Sequence, residues 1–127
     1  MSQEAISAIR TKAELARRLS GETRDPAAKA ALLGIASLLD AEPAWDILLH
    51  LLRAELAHER ISVSSACIAA AVPPSSGLRW LKALERKGLV LLQCDARDAT
   101  RTFVVLSPDT SKALRRYFIE VAHWIVS

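Results

Sequence analysis

Aromatic side chains are scarce in this sequence, with three Trp, one Tyr and two Phe among 127 residues. Since 51% of the residues are nonetheless hydrophobic, the core must be built from Leu, Ile, Val and Ala, which favours packed helices. Cysteine is scarcer still. Cys67 and Cys94 are the only two, and neither stands in a CxxC or Cys/His spacing, so a zinc module and a disulfide framework are excluded and reduced thiols are expected. Cys67 lies among Ala66, Ile68 and Ala69, a setting for an inert buried thiol. No apolar run approaches the roughly 18 residues of a membrane span and no basic-then-apolar leader is seen, so a soluble, cytoplasmic protein is expected. Internal repeats, low-complexity tracts and flexible linkers are also lacking.

The chemistry of catalysis is missing too. Ser62, Ser64, Ser65, Ser75 and Ser76 have no GxSxG elbow or SxxK motif around them and read as caps and turn formers, so no catalytic residue and no enzyme activity is expected. Glu55-x-x-His58 and Glu120-x-x-His123 match the i,i+3 pair of di-iron bundles. Such a site also needs two further helices with inward glutamates, which residues 61–106 do not supply. No metal and no cofactor are expected. The net charge of +3 is too small on its own to argue for a polyanionic partner. Its distribution matters more: between Ile61 and Leu106, Arg79, Lys82, Arg86, Lys87, Arg97 and Arg101 stand against Glu85, Asp95 and Asp98.

What is present is a series of amphipathic segments. Ile6, Ile9, Ala13, Ala16 and Leu19 share one helical face with Arg10, Arg17 and Arg18 largely outside, and Ser20-Gly21 ends that helix. Asp25-Pro26 opens a second, carrying Leu32, Leu33, Ile35, Ala36, Leu38 and Leu39. A third begins near Pro43, with Trp45, Leu48, Leu49, Leu52 and Leu56 inward. Ile61-Ser62-Val63 can form a very short strand, followed by a small helix capped by Ser64 or Ser65 that must stop before Pro73-Pro74. The next helix starts at about Pro74 or Ser75. It turns Leu78, Leu81 and Leu84 inward and Ser75, Ser76, Arg79, Lys82 and Arg86 outward, and it closes at Gly88. Residues 89–94 and 101–106 form a hairpin around the polar tip DARDAT, and Ser107-Pro108-Asp109 enters a last helix with Leu114, Phe118, Val121 and Ile125 buried.

A helix with cations outward, followed by a hairpin with Arg97 and Arg101 near its tip, is the order of a winged helix-turn-helix. Ser75, Ser76, Arg79 and Lys82 would meet the major groove of double-stranded DNA, Arg86 the phosphates, and the wing arginines the backbone or minor groove. The segments LERKGLV (84–90) and DARDATRTFVVLSPDT (95–110) are similar to the L-E-x-x-G-L-[VI] and D-x-R-D-x-R-x-x-x-V-x-L-[ST]-x-x-G patterns of MarR-type transcriptional regulators, a resemblance covering about residues 45–125, with Thr110 or Ser111 where the family usually has Gly. Gly77 and Trp80 stand at positions commonly aliphatic in that family. The resemblance implies that Arg97, Asp98 and Arg101 are wing residues, with Asp98 orienting an arginine. It also implies interlocked terminal helices in a homodimer and a small-molecule effector, for which Trp45, His50 and Arg53 are the first candidates. Some members sense oxidants through cysteine.

The expected fold is mainly α with a small β-hairpin (α+β): one winged-helix domain with N-terminal helices over 1–42, the helix-turn-helix and wing over 43–107, and a C-terminal helix over 108–127. Ile6, Ile9, Leu114, Phe118, Val121, Trp124 and Ile125 are the expected dimerisation residues, because the terminal helices carry more apolar surface than one small domain needs. A sequence-specific DNA-binding regulator is the leading expectation. The alternative is a winged-helix protein–protein adaptor, which would need Trp80 exposed on the recognition face and the wing arginines tied up in internal pairs.

Overall fold

The element boundaries fall where proline, glycine and short polar residues punctuate the sequence. The computed structural model describes residues 12–37 and 42–126. Among them the order is α1 (Lys12–Glu22), α2 (Pro26–Ala36), α3 (Glu42–Leu56), β1 (Ile61–Ser62), α4 (Val63–Ala69), α5 (Pro74–Arg86), β2 (Val90–Cys94), β3 (Thr102–Leu106) and α6 (Pro108–Val126). This is the expected α+β winged-helix class. The described residues form two compact units, one within Ala41–Pro108 and one from the helices on either side of it.

In the terminal unit, α1 packs on α2, burying Leu15, Ala16 and Leu19 on one helix and Leu32, Ile35 and Ala36 on the other. Helix α1 runs past Gly21 to Glu22, further than the expected stop at Ser20-Gly21. The Ser20 hydroxyl donates to the Arg17 carbonyl, so the serine bonds back onto the helix instead of ending it. Asp25 caps α2 as expected, accepting from the Ala27 N–H at 3.1 Å, with Pro26 in the first turn. Leu33, expected within the apolar arc, is 45% exposed. In α6 the buried positions are Thr110, Ala113, Leu114 and Tyr117, while Phe118 and Val121 are half-buried. Tyr117 and Phe118 meet edge to face at 5.2 Å. Ile6, Ile9, Leu38 and Leu39 lie outside the described residues, as do the side chains of Trp124 and Ile125. No helix among the described residues is long and apolar enough to cross a membrane.

The central unit is built around α3, whose Ala44, Ile47, Leu48, Leu51 and Leu52 are buried. Its last residue, Leu56, expected inward, is instead 57% exposed, because the chain turns away directly after it. His58 takes a left-handed conformation at φ 56°, and the Glu59 N–H donates back to the Ala54 carbonyl, as in a Schellman-type helix end. His58 is thus off the helix that carries Glu55. Among the described residues no group of three His, Cys, Asp or Glu could hold a metal ion.

Helix α4 is capped two or three residues earlier than expected. Ser62, extended at φ −73° and ψ 158°, accepts from the Ser65 N–H at 3.1 Å, so neither Ser64 nor Ser65 is the cap. The sheet runs β1-β3-β2, all antiparallel, with Ser62 opposite Phe103 and Leu92 opposite Val104. Leu81 and Leu84 from α5 and Leu89, Val90 and Val104 from the hairpin are each at most 2% exposed, forming one layer of core with α3.

Candidate nucleic-acid interface

Helix α5 opens on Pro74, and its N-cap, Pro73, offers no side-chain hydrogen bond. At about 100° per residue, Ser75, Arg79, Lys82 and Arg86 fall within an arc of roughly 60°, and all four are exposed. Ser76 sits on the flank, half-buried, and its Oγ accepts from Arg79 Nη2 at 3.2 Å. Gly88 ends the segment at φ +73°, the left-handed geometry that glycine adopts without cost.

The inner face differs from the expected Leu78-Leu81-Leu84. Gly77, Leu81 and Leu84 are the buried residues, whereas Leu78 is 39% exposed. Steps of three fall short of a full turn by about 60° each, so Leu78 is rotated well away from Leu84, while the i, i+4, i+7 set from Gly77 stays on one side. Gly77 is the contact point with α4: a Cβ added there would stand 2.9 Å from the Cβ, 3.1 Å from the Cα and 3.2 Å from the Sγ of Cys67. Cys67 is buried, and that burial pushes its thiol pKa up, disfavouring the reactive thiolate. Trp80 is half-buried on the flank away from Leu78, off the cationic arc.

The wing is held by its own acids. The Asp95 carboxylate accepts from the Arg97 N–H at 2.9 Å, and the Asp95 N–H donates to the Arg101 carbonyl. Asp98 accepts from the Thr100 N–H at 3.0 Å and hydroxyl at 2.6 Å. The family pattern sets an arginine two residues after its second aspartate; this chain has Thr100 there, and Thr100 is what Asp98 orients. Arg97 and Arg101 are both exposed. The Arg101 guanidinium lies 5.4 Å from the Phe103 ring centroid, and that of Arg60 lies over the same ring at 3.9 Å. Among the described residues, Arg79, Lys82, Arg86, Arg97 and Arg101 make no ion pair, unlike Arg18, which pairs with Glu22 at 3.5 Å.

Hydrogen bonds from the Thr100 hydroxyl and then its N–H, with the Arg101 charge as a smaller cause, hold the Asp98 carboxyl below its ordinary pKa. A carboxylate depressed on folding stabilises above its unfolded value, about 3.9 for aspartate, and that contribution is lost as pH falls through the folded value. The Thr100 amide resonance is therefore expected to move only at acid pH, below about 4, with Asp98→Asn removing the titration. An amide that shifts with a neutral midpoint, or not at all, would show that Asp98 does not hold the turn.

Clefts open on this unit among the described residues. One of about 590 Å³ is lined by Leu78, Lys82, Leu92, Thr100 and Arg101, with Ser64 from α4. An apolar one of about 360 Å³ lies on the other side of Leu78, against Cys67, Ile68 and Val72. A third, of about 580 Å³, is lined by Asp46, His50, Arg53 and Ile68, bringing together two of the expected effector-site residues; Trp45 is buried at 8% exposure. Sequence reasoning missed Arg60, Leu78 and Thr100. Arg60 carries no signal until its pairing with Phe103 is known, but the helical phase of Leu78 can be worked out from the sequence.

No family model and no curated protein matches the sequence. Solved structures do match it. S. aureus MepR in complex with DNA is 22% identical, with TM-score 0.55 over 84% of this chain and 83% of that one. Transcriptional regulator Tm0710 from Thermotoga maritima is 14% identical, with TM-score 0.54 over 76% and 67%. The heme sensor PefR from Streptococcus agalactiae, in complex with heme, is 13% identical with TM-score 0.52 over 68% of this chain, which spans 60% of PefR's length. At these identities the likeness is one of fold: the chain has the winged-helix fold of MarR-type regulators that its own motifs resemble.

Proposed function

We propose that this protein is a homodimeric transcriptional regulator that binds double-stranded DNA sequence-specifically in the cytoplasm. One observation carries the reading: a recognition helix and a wing in the same compact unit present Arg79, Lys82, Arg86, Arg97 and Arg101 to solvent, none of them closed into an ion pair among the described residues. An α-helix with cations along one exposed arc fits the major groove, and arginines beside it suit phosphates or a narrow minor groove. MepR, of the same fold, has been solved with DNA. An adaptor would have Trp80 on the recognition face, whereas Trp80 is half-buried and off the cationic arc.

Ser75, Ser76 and Arg79 meet base edges and nearby phosphates, Lys82 and Arg86 the backbone, and Arg97 and Arg101 the DNA beside the wing; Asp98 keeps the wing turn in shape. The dimer is formed by the terminal helices. Half-buried Phe118 and Val121 and Ile119, 56% exposed, offer apolar surface for it, as Ile6, Ile9, Trp124 and Ile125 do by their spacing. Leu114, fully buried within the single chain, supports the helix from behind. Two-fold symmetry sets half-sites about one helical turn apart. PefR has been solved with heme and MepR with ethidium; the cleft beside His50 and Arg53 is the proposed seat of a small-molecule effector here.

Binding to a duplex site measured over a salt series tests this reading. Arg101→Ala is expected to weaken binding to all sequences alike and to reduce the log–log salt slope by about 0.9 for each phosphate that is no longer neutralised. Unchanged affinity and slope in both Arg79→Ala and Arg101→Ala would end the assignment.

A further inference from the structure

We propose that Leu78 reads a base: it seats the 5-methyl group of a thymine in the operator half-site, while Lys82 and Arg101 hold the adjoining backbone. This rests on the DNA-binding reading above and names part of the sequence that reading leaves open. Leu78 is 39% exposed although Leu81 and Leu84 on the same helix are completely buried. It adjoins Lys82 at the edge of the cationic arc that faces the hairpin. There it lines the cleft of about 590 Å³ together with Leu92, Lys82, Thr100 and Arg101.

Among the described residues no carboxylate lines that cleft. Lys82 and Arg101 beside Leu78 and Leu92 suit an occupant that brings negative charge and an aliphatic group to the same place. A duplex offers both in its major groove, where the thymine methyl is the aliphatic group that base edges present and the phosphates run alongside. Cytosine at the same position would lack the methyl and would present an amino donor in place of the thymine O4 acceptor, which leucine cannot satisfy. On its other side Leu78 continues into the apolar cleft with Ile68 and Val72, so the methyl would meet hydrocarbon and not water.

Duplexes recovered by selection from random DNA are resynthesised with each thymine replaced singly by deoxyuridine, which deletes only the methyl. Affinity is then measured for the wild type, Leu78→Ala and Leu78→Met at one salt concentration. One position per half-site is expected to lose about fourfold in wild-type affinity on replacement, equivalent to about 0.8 kcal/mol for a methyl group. Leu78→Ala should bind thymine and uracil duplexes alike, and Leu78→Met should keep part of the preference. Because Leu78 is outside the core, both variants should still fold, with Leu78→Ala melting somewhat below the wild type, and the wild-type uracil scan is informative by itself. Intact duplex affinity with no uracil effect anywhere overturns this proposal and leaves the DNA-binding reading standing. A uracil effect that persists in Leu78→Ala also overturns it. Absence of any duplex binding overturns both.

Discussion

Gly77→Ala destabilises the helix-turn-helix even though alanine is the better helix former. The propensity gain is about 1 kcal/mol. Against it stands a Cβ placed 2.9 Å from the Cys67 Cβ and 3.1 Å from its Cα, where backbone as well as side chain must give way; overpacking of this kind costs about 1–3 kcal/mol. The net loss is smallest if α4 and α5 can part slightly, and it grows steeply for Gly77→Leu, which should fail to close the unit. Urea unfolding reads the effect as a lower midpoint with an unchanged slope. Cys67→Gly in the alanine background should recover part of it, since the nearest atom is then gone and the coupling energy becomes measurable. A Gly77→Ala variant with a raised midpoint would mean that the two helices do not touch as described.

The second large effect is on recognition. Arg79→Ala is expected to cost about 1–3 kcal/mol at each half-site and to relax the preference for guanine at one position. Arg79→Lys should lose nearly as much preference while retaining more affinity, because an ammonium keeps the charge but not the forked pair of donors. The Ser76 hydroxyl, 3.2 Å from Arg79 Nη2, limits where the guanidinium points, so less ordering is left for the bound state. Lys82→Ala, by contrast, should weaken all sequences evenly. The comparison is made by repeating the random-DNA selection with each variant; an Arg79→Ala protein that enriches the same site as the wild type removes Arg79 from base reading.

Much of this surface is legible in the sequence because short-range chemistry fixes it. Pro74 at the start of α5 and Gly88 beyond its end act through backbone geometry alone, and the strands on either side of DARDAT follow from β-branched and aromatic runs. What escapes depends on neighbours. Leu78 has the residue type of a core position, and only its phase relative to Gly77 shows that glycine, not leucine, takes the inner place. The true cap of α4, Ser62, reads as strand because it belongs to both elements. Asp98 orients Thr100 and not an arginine because the side chain two residues on is the one within reach of an Asx-type turn. The pairing of Arg60 with Phe103 joins residues far apart in the chain, which no local pattern reveals.

Ser62 has a further consequence. It pairs with Phe103 in the sheet and caps α4 through the Ser65 N–H, while α4 in turn supports α5 through Cys67 and Gly77. The hairpin tip lies outside this linkage and meets it where Thr100 and Arg101 line a cleft with Leu78 and Lys82. Exchanges at Ala96 and Ala99 can therefore alter the wing with little effect on the helix that reads bases, whereas an insertion between Arg60 and Val63 would shift strand register and helix entry together. Variation among relatives with altered operators should accordingly collect at the tip and on the exposed arc of α5, and spare the two-residue strand.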